Sequence, residues 1–296
     1  MTWSFPGRGA MDGLARALGM AGSRMAAPFR RRDVAIFHEF APAPAGGGHQ
    51  FLRALKREWE RRGLRVEVNS VSGTTRACLL NSFNFDAARF RFLRRAGCRT
   101  VHRVDGPLSV YRGFDDGTDR KIAEWNREFA QATVFQSRFS LAAHAELGLA
   151  FRDPVVIPNA ADPGVFYPPA RPSNPRGRKL RVVSASWSDN RNKGADVYEW
   201  LDRNLDFGRV EYTFVGRLPA ALKNVRVVEP LPSGELAELL RSHDVYLTAS
   251  RNDPCSNSLV EALACGLPAI YLNSGGHPEL AGEAGLGFDS PGEIPE

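Results

Sequence analysis

From Asp33 onward, short β-branched runs alternate with stretches of helical spacing. Val34–His38 (VAIFH) predicts a strand, the loop APAPAGGG follows it, and Phe51–Arg62 sets Leu52, Leu55 and Trp59 on one helical face. Gly63 closes that helix, and Arg65–Asn69 predicts the next strand. Ala77–Leu80, Thr100–Val104, Thr133–Gln136 and Val155–Pro158 read as further strands. Phe85–Arg95, Thr118–Gln131 and Arg138–Leu147 read as the helices among them.

The pattern breaks at Tyr167–Arg178 (YPPARPSNPRGR), where four prolines in twelve residues and little apolar content predict a linker. It then restarts. Leu180–Ala185, Val210–Val215, Val225–Val228, Val245–Thr248 and Ala269–Leu272 predict strands. Helices are expected up to about Asn204, over Leu236–Ser242 and over Ser258–Cys265, with Gly266 and Pro268 ending the last. Strand–helix alternation in both halves predicts an α/β protein with two doubly wound parallel sheets. Ligands of such sheets sit at the carboxyl ends of the strands, and two of them joined by a hinge are expected to face a cleft. The expected division is a tail over 1–32, domains over 33–166 and 179–296, and the linker between them.

Charge changes this picture at one end only. Of the net +6, residues 1–32 supply +5, from six Arg against Asp12, so the rest of the 296-residue chain is almost neutral. A nucleic-acid partner is therefore not expected, because a phosphate-backbone binder carries its basic stripe on the folded domain. The tail has no continuous apolar segment, and Met11–Arg24 reads as a weak basic amphipathic stretch. It is expected to pack little, with peripheral contact to an anionic membrane surface as its sharper reading. No run of eighteen apolar residues predicts a membrane span. Cys78, Cys98, Cys255 and Cys265 form no C-x-x-C pair and no zinc spacing, which predicts reduced thiols, a cytoplasmic chain and no metal.

Four segments carry candidate chemistry. In ASRNDPCSNSLVEALACGLPAI (249–270) a strand end leads through Asp253 to a helix bearing Glu261. Pro254 puts Asp253 just before that helix, so the N–H groups of Cys255, Ser256, Asn257 and Ser258 form an anion site with the helix dipole behind them. The bland alternative leaves Asp253 favouring the dipole and Glu261 solvated. In WSDNRNKGADV (187–197), Lys193 offers a point charge, Gly194 close backbone approach and Arg191 a second cation, a set suited to a diphosphate. The alternative is a solvated surface lysine. Gly46-Gly47-Gly48-His49 after the first strand is no dinucleotide fingerprint, but a glycine loop there can cover a ligand. His102 and Asp105, in HRVDGP, end a strand where a ligand-facing pair is expected, although a lone His is more often structural.

Together these segments resemble the retaining glycosyltransferases of family 4, also called glycosyl transferases group 1, which have the two-domain GT-B fold. The resemblance covers about residues 33–290 and is strongest over Leu180–Phe288. SNSLVEALACGLPAI and NSGGHPEL look like the family's second carboxylate helix and its glycine-rich loop. Asp253 and Glu261 look like its two-carboxylate motif, with Asp in place of the first Glu. VIPNAADPGVF (156–166) looks like the start of the interdomain linker, and FHEFAPAPAGGGHQF like the first strand and glycine loop.

The resemblance implies a nucleotide-sugar donor as co-substrate, with no resident cofactor. Lys193 would hold the diphosphate, Glu261 the ribose hydroxyls, and Asp253 with the N–H groups near Cys255–Asn257 the sugar and phosphate. Gly47, Gly48, His102 and Asp105 would bind the acceptor and the far side of the sugar. Ser186-Trp187 stands where the family often has an Arg, so Arg191 is the expected substitute. The chain ends where the family continues with helices, which implies a fragment. The expected activity is metal-independent, retaining transfer of a sugar to a glycan, lipid or small-molecule acceptor. An inactive GT-B-like binding or scaffold protein, or a sugar epimerase or phosphorylase, is the alternative.

Overall fold

The computed structural model describes residues 33–42, 47–170 and 176–294. The expectations for residues 1–32 lie outside them. Contacts divide the chain into two compact units. One takes the chain up to Phe40 and Arg53–Pro158, and the other takes Ala41–Leu52 and Asn159–Glu296.

The first unit has strands β1 (Asp33–Phe37), β2 (Arg65–Val68), β3 (Thr75–Asn81), β4 (Arg99–Val104), β5 (Ala132–Phe135) and β6 (Pro154–Val156). They form one parallel sheet in the order β2-β1-β3-β4-β5-β6. Helix α1 (Gly47–Arg61) begins among residues of the second unit. It is followed by α2 (Ala87–Leu93), α3 (Leu108–Arg112), α4 (Thr118–Phe129) and α5 (Arg138–Glu146). An aromatic cluster of Phe37, Phe85, Phe90 and Phe129 packs with Cys78 and Leu80 in this unit. α3, which the sequence pattern does not predict, is anchored by Asp119, whose carboxylate accepts the Leu108 and Ser109 N–H groups at 2.8 and 2.9 Å.

The second unit has β7 (Leu180–Ser186), β8 (Val210–Gly216), β9 (Arg226–Val228), β10 (Val245–Thr248), β11 (Ala269–Leu272) and β12 (Gly285–Phe288). Their order is β12-β11-β10-β7-β8-β9, all parallel. Counted from β7 this is the 3-2-1-4-5-6 order of a doubly wound sheet, and the winding reverses between β7 and β10. Alternate residues supply two apolar layers. Val182 and Phe214 pack on one side with Tyr198 and Leu201, and Val183 and Val215 pack on the other with Leu236, Leu240 and Leu259. Burial of both faces is why these strands read as near-continuous apolar runs. The helices are α6 (Ala195–Asn204), α7 (Ser233–Arg241), α8 (Asn257–Ala264) and α9 (His277–Ala281).

Other elements also differ from expectation. The described ends of Tyr167–Arg178 belong to the second unit. Phe166 is buried in that unit's core, the Arg241 guanidinium sits 4.3 Å from the Tyr167 ring centroid, and Arg178 pairs with Asp244 at 2.7 Å. Gly47 and Gly48 form the first turn of α1 rather than a loop; first-turn N–H groups lack intrahelical partners in any case, so glycine is tolerated there. β12 was not predicted, since GLGF lacks a strand signature. Gly285 is required by closeness, as a Cβ there would stand 2.7 Å from the Ala269 carbonyl oxygen of β11.

Candidate functional site

The loops that follow β7 and β10 meet where the second sheet reverses its winding. After Ser186 the chain enters a 3-10 turn over Arg191–Lys193, started by the Asn190 side chain, which accepts the Asn192 N–H at 2.9 Å. Gly194 then turns the chain into α6 with φ +92°, and a Cβ there would lie 2.5 Å from the Ala249 carbonyl oxygen. Only glycine meets both demands. The Arg251 N–H donates to the Asn192 carbonyl at 2.7 Å and ties the two loops together.

A third loop, after β11, fixes Asp253. The Gly276 N–H donates to the Asp253 carbonyl at 2.9 Å, and Gly275 (φ +65°) lies against the same backbone with no room for a Cβ. Ser274 Oγ accepts the N–H of Asn252, itself at φ +54°. His277 is fully buried, with Nδ1 3.1 Å from the Leu272 carbonyl and Nε2 3.2 Å from Ser250 Oγ. The carbonyl requires Nδ1–H, so Nε2 of the neutral ring accepts from the hydroxyl. Burial lowers the pKa of His277 further than the Asp253 charge raises it.

Lys193 Nζ lies 2.6 Å from Asp253 Oδ2, and the other carboxylate oxygen accepts the Cys255 N–H at 3.2 Å. Burial is the largest influence on Asp253 and opposes its ionisation. The charge of Lys193, with the hydrogen bonds from Lys193 and Cys255, outweighs it and holds the carboxyl below its ordinary range. Pro254 precedes the N-cap Ser256, whose Oγ accepts the Leu259 N–H at 3.5 Å, so α8 starts one residue earlier than predicted. On α8, burial pushes Glu261 up to about 8.

These groups line one cavity of about 220 Å³. Of the candidates named from the sequence, it brings together Gly47, Lys193, Asp253, Cys255, Ser256, Asn257, Ser258 and Glu261. Gly194 stands behind it, holding Lys193 in place. Asn257 is held by Asn159, whose side-chain amide donates to Asn257 Oδ1 at 2.9 Å. Trp187, which opens the Lys193 segment, also lines the cavity, as do Gln50 and Tyr198, which no motif in the sequence marks. His277 and Gly275 were legible only as part of a glycine-rich loop.

Other candidates stand elsewhere. Arg191 stands outside the cavity lining: its guanidinium lies 3.4 Å from the Pro219 carbonyl and 4.0 Å from Glu199. His102 lies inside β4. It is fully buried in the first unit, its Nε2 lies 2.8 Å from the Ser82 carbonyl, and its ring meets Phe85 edge-on. Burial lowers its pKa to about 4, against smaller raising influences from the Ser82 carbonyl and Asp105, so its ring is neutral at physiological pH. Asp105, also in the first unit, accepts from Arg103 at 3.0 Å and from the Gln136 amide. A Cβ on Gly48 would meet nothing within 4 Å, so space does not require glycine there.

Residues 200–295 match the family model described as glycosyl transferases group 1. No curated protein sequence matches the chain. Solved structures do. A sucrose-phosphate synthase from Thermosynechococcus elongatus aligns over 88% of this chain and 86% of its own, at 15% identity and a TM-score of 0.66. Anabaena HepE in complex with UDP-glucose aligns over 88% and 86%, at 16% identity and a TM-score of 0.64. A trehalose-6-phosphate synthase, OtsA, aligns over 88% of both chains, at 13% identity and a TM-score of 0.61. The shared feature is the fold: two α/β units with parallel six-stranded sheets, the GT-B architecture. Among the described residues no helix is long and apolar enough to cross a membrane.

Proposed function

We propose that the chain is a glycosyltransferase that takes its sugar from a nucleotide-sugar donor bound in the second unit. One observation carries the reading: Lys193, Glu261 and the first turn of α8 line a single cavity at the point where the sheet reverses its winding. Such points bind nucleotides in doubly wound sheets. The N–H groups of Asn257 and Ser258, in the first turn of α8, suit a phosphate. Lys193 has three N–H donors, so it can keep Asp253 and still reach a phosphate oxygen. Glu261 accepts the ribose hydroxyls.

As the sugar–phosphate bond breaks, negative charge grows on the leaving diphosphate. Lys193 and the α8 N-terminus stabilise it, in the role a divalent cation would otherwise fill. Retention of anomeric configuration, an acceptor among glycans, lipids and small molecules, and a cytoplasmic location belong to the same reading. So does the UDP compound in HepE, which makes uridine diphosphate sugars the first donors to test.

A thermal-shift screen of uridine, adenosine and guanosine diphosphate sugars tests donor binding, because a ligand of the native state raises Tm. Lys193→Ala then tests the chemistry. Transfer or donor hydrolysis should fall at least about 100-fold in kcat, the order seen when one charge-stabilising group is lost. Parental turnover in that variant would mean that the diphosphate is held elsewhere.

A further inference from the structure

In the first unit two thiols face each other outside the proposed donor site. Cys78 lies in β3 and is buried in the aromatic core. Cys98 is partly exposed in the turn that leads into β4, and its Sγ is 3.4 Å from Cys78 Sγ. The backbone lets them approach. Cys78 is paired to Thr100 in the β3–β4 ladder, whereas Cys98 precedes β4, its N–H held by the Arg95 carbonyl at 3.2 Å and Gly97 beside it at φ +83°. Closing 3.4 Å to the ~2.05 Å of a disulfide asks about 1.4 Å of movement, and the turn can supply it while the ladder stays in register.

We propose that Cys78 and Cys98 form an oxidative modification site, at which a small-molecule disulfide such as glutathione disulfide is exchanged for an intramolecular disulfide between β3 and the turn before β4. Cys98 acts first because solvent reaches it. Its thiolate attacks one sulfur of glutathione disulfide, the S–S bond breaks, and one glutathione leaves as thiolate. Cys78 Sγ then attacks Cys98 Sγ in the mixed disulfide. The second glutathione leaves and takes the Cys78 proton. Two protein thiols and one glutathione disulfide become one protein disulfide and two glutathione thiols.

The surroundings assign the same order. The Cys78 thiol and the Arg95 charge stabilise a Cys98 thiolate against the cost of burial, lowering its pKa. The hydrogen bond to Cys98, followed by burial, raises that of Cys78. An accessible thiolate beside a protected resolving thiol is the arrangement of redox-sensing cysteine pairs. The cross-link closes the segment that carries α2, so it restricts the unfolded chain and stabilises this unit.

The test uses the full chain, reduced, desalted and incubated under native conditions in glutathione buffers of increasing oxidation. Intact mass should fall by two hydrogens, and peptide mapping should find Cys78 joined to Cys98. Tm should rise by about 5 °C or more, and dithiothreitol should reverse both changes. Cys98→Ser should abolish the cross-link. Cys78→Ala, which removes only the resolving sulfur, should instead accumulate a glutathione adduct on Cys98. If Cys78→Ala fails to fold, the mapped linkage in the parental chain decides alone. A parental chain that keeps four free thiols, stops at a glutathione adduct, or cross-links only in urea would overturn the proposal.

Discussion

Replacing Glu261 with Gln should act on stability and on nucleotide binding with opposite signs. The folded protein holds this carboxyl at about 8, through burial, against an ordinary value of 4.5. Between those two pH values the unfolded chain ionises Glu261 and the folded chain does not. Stability therefore falls as pH rises through the window, by at most about 1.4 kcal/mol per unit. At pH 7 the full difference is about 3 kcal/mol, and screening at a partly exposed carboxyl reduces it to about 1–2 kcal/mol. Gln keeps the shape and has no such slope.

Melting curves of both proteins without ligand at pH 5, 6, 7 and 8 should thus diverge. The variant should gain about 2–8 °C over the parent by pH 7, at 2–4 °C per kcal/mol for a unit of this size. Binding should move the other way. Losing hydrogen bonds to a charged acceptor costs about 1–3 kcal/mol, so Kd for donor and for free nucleotide should both rise about 5- to 150-fold. Parental affinity should itself increase with pH up to about 8, because the ribose hydroxyls favour the ionised form. A Tm difference that stays flat from pH 5 to 8 would refute the burial argument. Unchanged nucleotide affinity would refute the assignment to ribose.

Gly194→Ala should destabilise the second unit by about 2 kcal/mol or more in urea titration, since it combines a left-handed φ with a clash at the Ala249 carbonyl; a loss below about 0.5 kcal/mol would contradict that geometry. Asp202 accepts the N–H groups of Lys223, Asn224 and Val225, which together overcome burial and lower its pKa. Asp202→Ala should cost about 2–3 kcal/mol, and the parental contribution, full above the ordinary Asp value near 4, should fade as pH drops through the depressed one. His102, held at about 4 against an ordinary 6.5, should make the parent lose up to about 1.4 kcal/mol per unit as pH falls between those values. His102→Gln should flatten that slope in acid denaturation, and an unchanged slope would mean the ring is solvated.

The central strands of both sheets were legible because they are buried on two faces and bounded by turn residues. Val245–Thr248 and Ala269–Leu272 match the observed strands end for end. The Lys-Gly step was legible as well, since Gly194 marks a sharp turn after a strand. The aim of side chains was not. Arg191 and Lys193 are two residues apart in one 3-10 turn, yet Glu199 and Pro219 draw the first away while Asp253 draws the second in. His102 was expected at a strand's end, but β4 runs two residues past it, and the carbonyl of Ser82 and the ring of Phe85 enclose it. α9 was missed because five residues carry too short a period to register, and β12 because its glycines serve close packing on β11 rather than strand propensity.

The 2.6 Å pair of Lys193 and Asp253 alters how the proposed site must work. Read one at a time, the two residues divide the donor between them, the lysine on phosphate and the carboxylate on sugar. As a pair they present little net charge, so a diphosphate is not drawn in by a free cation. Its attraction comes from donors already aimed: the third-loop clamp fixes Asp253, Asp253 fixes the ammonium, and α8 begins beside them. Aimed donors need no reorganisation as charge develops, which is the condition under which electrostatic stabilisation favours the transition state over the bound donor. The same pairing makes Lys193 a poor residue to delete for a clean partition of energy. Its loss leaves Asp253 as a buried anion facing the phosphate, so the defect in Lys193→Ala combines a missing attraction with a new repulsion.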